Sequence, residues 1–256
     1  MKYSFLAAAL TLQTLWAESP SPISLFNGKN LEGWDVLVGR EVVNSETQEI
    51  FKVTDGIIHV YPSQEQGSKQ PFAGIVTTKS YQDYHLTVEY RWGEKKFAPR
   101  DKSVRDAGIL YHIKNPNKIW PSSVELQIQE GDTGDLWIIG CQASSRVDPV
   151  TGGYGGSKKE LLTRPLNLKT HYSKIARSYS WEKPGWNKTE IIVRGDDAVF
   201  KVNGHQVNEC IDSKLIVTTD SGRKTEPLTK GHILLQAEGA EIFYRNITIT
   251  PLSEEK

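Results

Sequence analysis

Apolar and polar residues alternate one by one along many short stretches of this chain, and that period of two restricts it to β-structure. The alternating segments are Gly56 to Val60, Leu86 to Trp92, Gly108 to Ile113, Val124 to Gln129 and Leu136 to Ile139. Glu190 to Val193, Val199 to Val202, His232 to Ala237 and Ile242 to Ile249 follow. Turn chemistry separates them at Thr54-Asp55-Gly56, Gly195-Asp196-Asp197 and Val202-Asn203-Gly204. No stretch keeps a 3.6-residue period beyond about two turns. Short strands in such number predict an all-β sandwich or barrel. The 256 residues suit one domain, because all-β folds run to about 250. Pro62 to Gly74, Gly93 to Arg105 and Ser144 to Arg164 lack a pattern and are expected as loops rimming a binding site. Four glycines between Thr151 and Gly156 suggest a phosphate cradle, but no Lys-Ser/Thr or helix follows, so a flexible loop is expected there.

Lys and Arg number 31, as do Asp and Glu, so the formal net charge is +0. This excludes a basic surface built to neutralise phosphate, and no nucleic-acid partner is expected. Lys2, the apolar run Phe5 to Leu12 and the small residue Ala17 read as a secretory signal peptide over residues 1–17. The run is shorter than the ~20 residues of a membrane helix, so no stable membrane anchor is expected. Residues 18–256 are then one exported domain, periplasmic or extracellular. Export permits a bridge between Cys141 and Cys210, the two cysteines; two buried free thiols are the alternative. Neither the cysteines nor the six histidines have zinc-site spacing. The Gly-x-Ser-x-Gly and dinucleotide patterns are absent, so no nucleotide cofactor is expected.

The polar faces of the strands carry the functional signal. Val124, Leu126 and Ile128 point one way; Glu125, Gln127 and Gln129 point the other. Leu86, Val88 and Tyr90 alternate with Thr87, Glu89 and Arg91, and Ile109, Tyr111 and Ile113 alternate with Gly108, Leu110 and His112. Gln236 and Glu238 share a face. Rows of amides and carboxylates suit sugar hydroxyls, which need both donors and acceptors. Trp120 and Trp137 flank the Glu125 strand, where they can stack on a sugar ring. From alternation alone, an ordinary wet face with both tryptophans in the core explains the pattern as well. Glu130, Asp132 and Asp135, with two glycines between, form either a turn with capping aspartates or an oxygen site for a hard cation.

Several blocks occur together and in order: Ser24 to Trp34, Val53 to Ile58, Tyr81 to Arg91, Asp106 to His112 and Ser123 to Gln129. Trp186-Asn187, Asn203-Gly204, Gly231 to Gln236 and Phe243 to Ile247 complete the series. On these blocks the chain resembles the 3-keto-disaccharide hydrolase family over nearly all of residues 24–252. The resemblance implies a concanavalin A-like jelly-roll sandwich of two antiparallel sheets with a substrate groove on its concave face. It also implies glycoside substrates whose C3 hydroxyl a partner oxidoreductase has turned into a ketone. Such a ketone acidifies the C2 hydrogen; a base removes it, the C1 oxygen leaves with acid assistance, and water adds to the enone. On this resemblance Glu125 is the leading acid/base candidate, with Glu89, His112 and Glu238 behind it. Arg91, Gln127, Gln129 and Gln236 would bind hydroxyls or the ketone oxygen. A divalent metal held by His112, Glu125 and Glu130 is an alternative Lewis acid. Ala107 and the Ala237-Glu238-Gly239 ending depart from the common family pattern, which leaves the substrate open. A non-catalytic carbohydrate-binding jelly roll is a second reading. A laminarinase-type β-glucanase is a third, weakened because Gln stands where its strand needs acids.

Overall fold

The computed structural model describes residues 20–39, 41–42 and 49–253. The expected signal peptide lies outside them. Among the described residues the chain forms strands and no helix. The first nine strands are β1 (Ile23–Ser24), β2 (Trp34–Val38), β3 (Glu41–Val42), β4 (Phe51–Thr54), β5 (Ile57–Val60), β6 (Ala73–Thr77), β7 (Tyr84–Lys96), β8 (Asp106–Ile113) and β9 (Ser123–Gln129). Next come β10 (Leu136–Ile139), β11 (Cys141–Val147), β12 (Glu160–Arg164), β13 (Tyr172–Ile175), β14 (Asn187–Arg194) and β15 (Asp197–Val202). The last four are β16 (His205–Thr219), β17 (Gly222–Pro227), β18 (His232–Ala237) and β19 (Ala240–Pro251).

They build two antiparallel sheets packed face to face, the sandwich that the alternation predicts and the jelly roll that the resemblance implies. One sheet runs β13-β10-β9-β8-β18-β6-β2-β3. The other runs β12-β11-β16-β15-β14-β7-β19-β5-β4, with β1 added to β19 and β17 to β16. The core fills the space between from alternate positions of both sheets. Val124, Leu126 and Ile128 of β9 meet the same cluster as Leu86, Val88 and Tyr90 of β7 and Phe200 of β15, all fully buried. At roughly 1.5–3 kcal/mol for each large apolar side chain removed from water, this shared interior fixes which face of β9 points outward. Two tyrosine hydroxyls tie into β18: Tyr244 donates to the Gln236 carbonyl at 2.9 Å and Tyr61 to the Ala237 carbonyl at 3.0 Å.

Two expected loops are shorter than the sequence suggests. β7 continues to Lys96, which pairs with Ala240 of β19 across a register shift that follows Trp92. β11 and β12 take both ends of Ser144 to Arg164 as an antiparallel pair. The polar residues of β11 that hide it from a hydrophobic pattern are bonded inside the fold: Ser144 to Thr163 at 2.9 Å and Ser145 to Asn208 at 3.2 Å. The glycines from 152 to 156 lie in the remaining loop, with no helix after them. Cys141 and Cys210 are free and buried, and burial pushes the Cys141 thiol up to about 12. Among the described residues no helix is long and apolar enough to cross a membrane.

Candidate functional site

The outward face of the smaller sheet divides into two halves. Leu37, Val76, Leu110, Ile139 and Leu234 make an apolar cluster with Ile119, which comes from the segment between β8 and β9. Beside it lies a cavity of about 610 Å³ floored by β9 and walled by β10, β13 and the segment before β8. Strand register explains the floor. Trp137 of β10 lies opposite Glu125 of β9, Gln127 opposite Gly108, and Gln129 opposite Asp106. Glu238 follows β18, and Arg100 enters from the segment between β7 and β8.

The side chains form one hydrogen-bonded chain with a conspicuous gap. Glu238 Oε1 accepts from Trp120 Nε1 at 2.7 Å and from Gln236 Nε2 at 2.8 Å. Its Oε2 faces Arg100 Nη1 at 3.1 Å. The same Arg100 nitrogen pairs with Asp106. Asp106 in turn accepts from Gln127 Nε2 at 2.7 Å and Gln129 Nε2 at 3.0 Å. Glu125 is buried in the same cavity, yet among the described residues nothing hydrogen-bonds its carboxyl.

Gly108 shows how Glu125 fits. A Cβ on Gly108 would overlap both Glu125 Oε1 and Gln236 Oε1, so the missing side chain is the space that these two oxygens share. Gln236 Oε1 is buried and has no donor. Its amide sits between two carboxyls: it donates to Glu238 with its nitrogen and turns its oxygen toward Glu125. Turning the amide over only exchanges the two ends. One carboxyl of the pair must therefore supply a proton for the group to be satisfied. Burial raises the Glu125 pKa well above the usual carboxylate value, and the Glu238 charge adds to it, against the pull of Arg100. Burial also raises Glu238, but Arg100 and the Trp120 N–H oppose it. The donors thus favour an ionised Glu238 and leave the proton on Glu125.

Seven of the residues singled out from sequence meet at this site: Glu125, Gln127, Gln129, Gln236, Glu238, Trp120 and Trp137. Trp120 is part exposed and packs edge-on to Phe72, while Trp137 tilts against Tyr172 at 5.2 Å. Three others lie elsewhere. Glu89 and Arg91 belong to β7 in the larger sheet, on the face away from the core. There Glu89 pairs with Arg245 at 2.8 Å and Arg91 stacks over Phe243. His112 leaves the alternation of β8: its φ is +59°, and the register between β8 and β18 shifts beside it. Its ring is buried beside the Gly195 backbone and Asp83, and neither nitrogen has a partner at good hydrogen-bond geometry.

The metal set of His112, Glu125 and Glu130 does not converge. Glu130 is held by both Arg105 Nη2 at 2.6 Å and Arg105 Nε at 3.1 Å. Among the described residues no group of three or more His, Cys, Asp or Glu side chains is placed to hold a metal ion. The Glu130 to Asp135 cluster is a turn: Asp132 N–H donates to the Gln129 carbonyl at 2.8 Å, and Gly131 and Gly134 take positive φ. Its carboxylates are met by cations, Asp132 by Arg177 and Asp135 by Arg177 and Lys174.

Arg100, Asp106 and His171 line the cavity without having been selected from sequence. Asp106 had a signal, since it sits two residues before Gly108 on the same face of β8. Arg100 and His171 come from segments with no period, and only the folded chain brings them in.

No curated protein matches the chain. Two solved structures from Parabacteroides distasonis, both proteins assigned as candidate glycosyl hydrolases, share its fold. One is 18% identical with a TM-score of 0.53, over 91% of this chain and 94% of that one. The other is 20% identical with a TM-score of 0.51, over 91% of this chain and 100% of that one. The family model described as a 3-keto-alpha-glucoside-1,2-lyase-like domain matches residues 21–250, and with so much of its length matched the chain belongs to this family of 3-keto-disaccharide hydrolases.

Proposed function

We propose that this protein is an exported carbohydrate-active lyase or hydrolase that cleaves 3-keto-glycosides delivered by a sugar 3-oxidoreductase. The observation that carries the reading is the unequal carboxyl pair. A retaining or inverting glycosidase uses one carboxyl as acid and a second that is free to attack or to activate water. Here Glu238 is held by Trp120, Gln236 and Arg100, which engage three of its roughly four lone-pair sites and fix its orientation. Among the described residues nothing hydrogen-bonds the Glu125 carboxyl, and burial raises its pKa well above the usual carboxylate value, which suits it to give a proton to a leaving oxygen. No second carboxylate on the scissile bond is needed once a C3 ketone acidifies C2, because the donor then needs beside it only a base for the C2 hydrogen. Gln127 and Gln129, oriented by Asp106, would hold hydroxyls, and the Trp137 and Trp120 rings would cover the apolar face of the sugar.

The test is NMR of the purified protein in deuterated water with 3-keto-glucosides beside their unoxidised parents. Cleavage of the keto forms alone, with deuterium entering at C2, is the expected result. Equal cleavage of the parents, or none of either, would overturn the reading. Glu125→Gln is expected to lower kcat by about 10²–10⁴ with an alkoxide leaving group, and by less as the leaving group becomes more acidic. A loss that ignores the leaving group would remove Glu125 as the acid.

A further inference from the structure

Resting on that reading, we propose that His171 is the base that takes the C2 proton of the 3-keto sugar. An elimination needs a proton acceptor as well as the donor, and the cavity offers few. Glu125 holds a proton. Glu238 and Asp106 are both carboxyls whose lone pairs are engaged by Trp120, Gln236 and Arg100, and by Gln127, Gln129 and Arg100. Three contacts on each leave at most one lone-pair site, so neither is freely turned toward a sugar hydrogen. The guanidinium of Arg100 has no acceptor, and Tyr172 offers a phenol oxygen rather than a basic nitrogen. The remaining titratable side chain on the wall is the His171 imidazole, and among the described residues neither of its nitrogens is hydrogen-bonded. Histidine is the side chain whose proton moves most readily near neutral pH.

The backbone presents this ring deliberately. His171 has φ +66°, a left-handed conformation that costs a bulky residue about 1–3 kcal/mol and survives only where the surroundings hold it. They do so here: its N–H donates to the Asn167 carbonyl at 2.8 Å, and its carbonyl accepts from the Gly140 N–H at 2.8 Å. A Cβ on Gly140 would come within 2.7 Å of His171 Nε2, so the ring packs down onto a glycine that leaves it room. The next residue, Tyr172, lies opposite Ile139 on β10, while Trp137 of β10 lies opposite Glu125. The residue level with Glu125 on β13 is Lys174, so His171 stands two strand spacings across the sheet and three residues along it from Glu125, roughly 14 Å at the backbone, with both side chains lining the one cavity.

In the proposed step the C2–H bond breaks and its proton goes to an imidazole nitrogen of His171. The electron pair forms the enolate of the C3 ketone. The enolate then collapses to a C1–C2 double bond as the C1–oxygen bond breaks, and the leaving oxygen takes the Glu125 proton. Protons and electrons balance without another reactant until water adds to C1.

His171→Asn and His171→Gly both tolerate the left-handed backbone, so the fold is kept. With methyl and aryl 3-keto-glucosides alike, kcat is expected to fall about 10²–10⁴ with KM changed by no more than a few fold. Deuterium uptake at C2 should fall by the same factor. Added imidazole should restore part of the rate to His171→Gly and none to His171→Asn, an effect that a purely structural role would not show. Wild-type turnover with unchanged kinetics in both variants overturns the assignment and leaves the function standing. A wild-type protein that turns over no keto-glycoside overturns both.

Discussion

At His112 the imidazole is fully buried with no partner at good hydrogen-bond geometry, and burial pushes its pKa down to about 4, partly opposed by the Gly195 backbone. The unfolded chain takes up that proton near 6.5. Between those values the unfolded state binds a proton that the folded state refuses, so stability falls as pH drops from about 6.5 to about 4. The shift amounts to about 3 kcal/mol. In urea unfolding at pH 7 and pH 4, His112→Gln is expected to lose about 3 kcal/mol less than the wild type between the two pH values. An identical loss in both proteins would show that the ring titrates normally. The same residue marks the limit of reading a face from alternation. Glu125, Gln127 and Gln236 were legible because extended residues alternate strictly, whereas a positive φ at position 112 breaks the rule with nothing in the residue type to announce it. Arg100 and His171 were illegible for another reason: they reach the cavity from unpatterned segments, and tertiary packing alone decides where those point.

Among the strands, β8 carries the tightest requirement. Glycine inside a strand ordinarily weakens it, but Gly108 keeps open the space in which the Glu125 carboxyl meets the Gln236 amide. Gly108→Ala should therefore not show the gain expected of an ordinary strand position. The added methyl displaces the two oxygens, costing about 1–3 kcal/mol as an overpacked site, and turnover of 3-keto-glycosides should fall at least about tenfold. Thermal unfolding followed by circular dichroism, beside the NMR assay, checks both. A more stable and fully active variant would mean that Glu125 does not occupy this space. β8, β9 and β18 were readable because each has one face in the core. β17 was not: Gly222–Pro227 is exposed at every position, and only its backbone pairing to β16 makes it a strand. Polar edge strands of this kind carry no hydrophobic signal to detect.

The two sheets show identical alternation in sequence and opposite use in the molecule. Glu89 and Arg91 on β7 look like Glu125 and Gln127 on β9, because a period of two reveals which residues leave the core but not which sheet they leave from. Folding sends β7 to the centre of the larger sheet, where the outward face is paved with pairs that neutralise one another. Glu89 meets Arg245, Arg245 lies over Trp186 at 3.9 Å, and Arg91 covers Phe243 at 4.2 Å. These charges are paired or stacked on aromatic rings and stand close to solvent, which screens them. The smaller sheet is the reverse: its outward face buries Glu125 without a donor and holds Gln236 Oε1 without a proton source other than that acid. Glu89→Ala and Arg91→Ala, made together, should accordingly leave kcat/KM on 3-keto-glycosides within about twofold. Each should cost no more than about 1 kcal/mol in urea unfolding, the range of exposed ion pairs. A hundredfold loss of activity in that folded double variant would place the reacting sugar on the larger sheet and move the acid from Glu125 to Glu89.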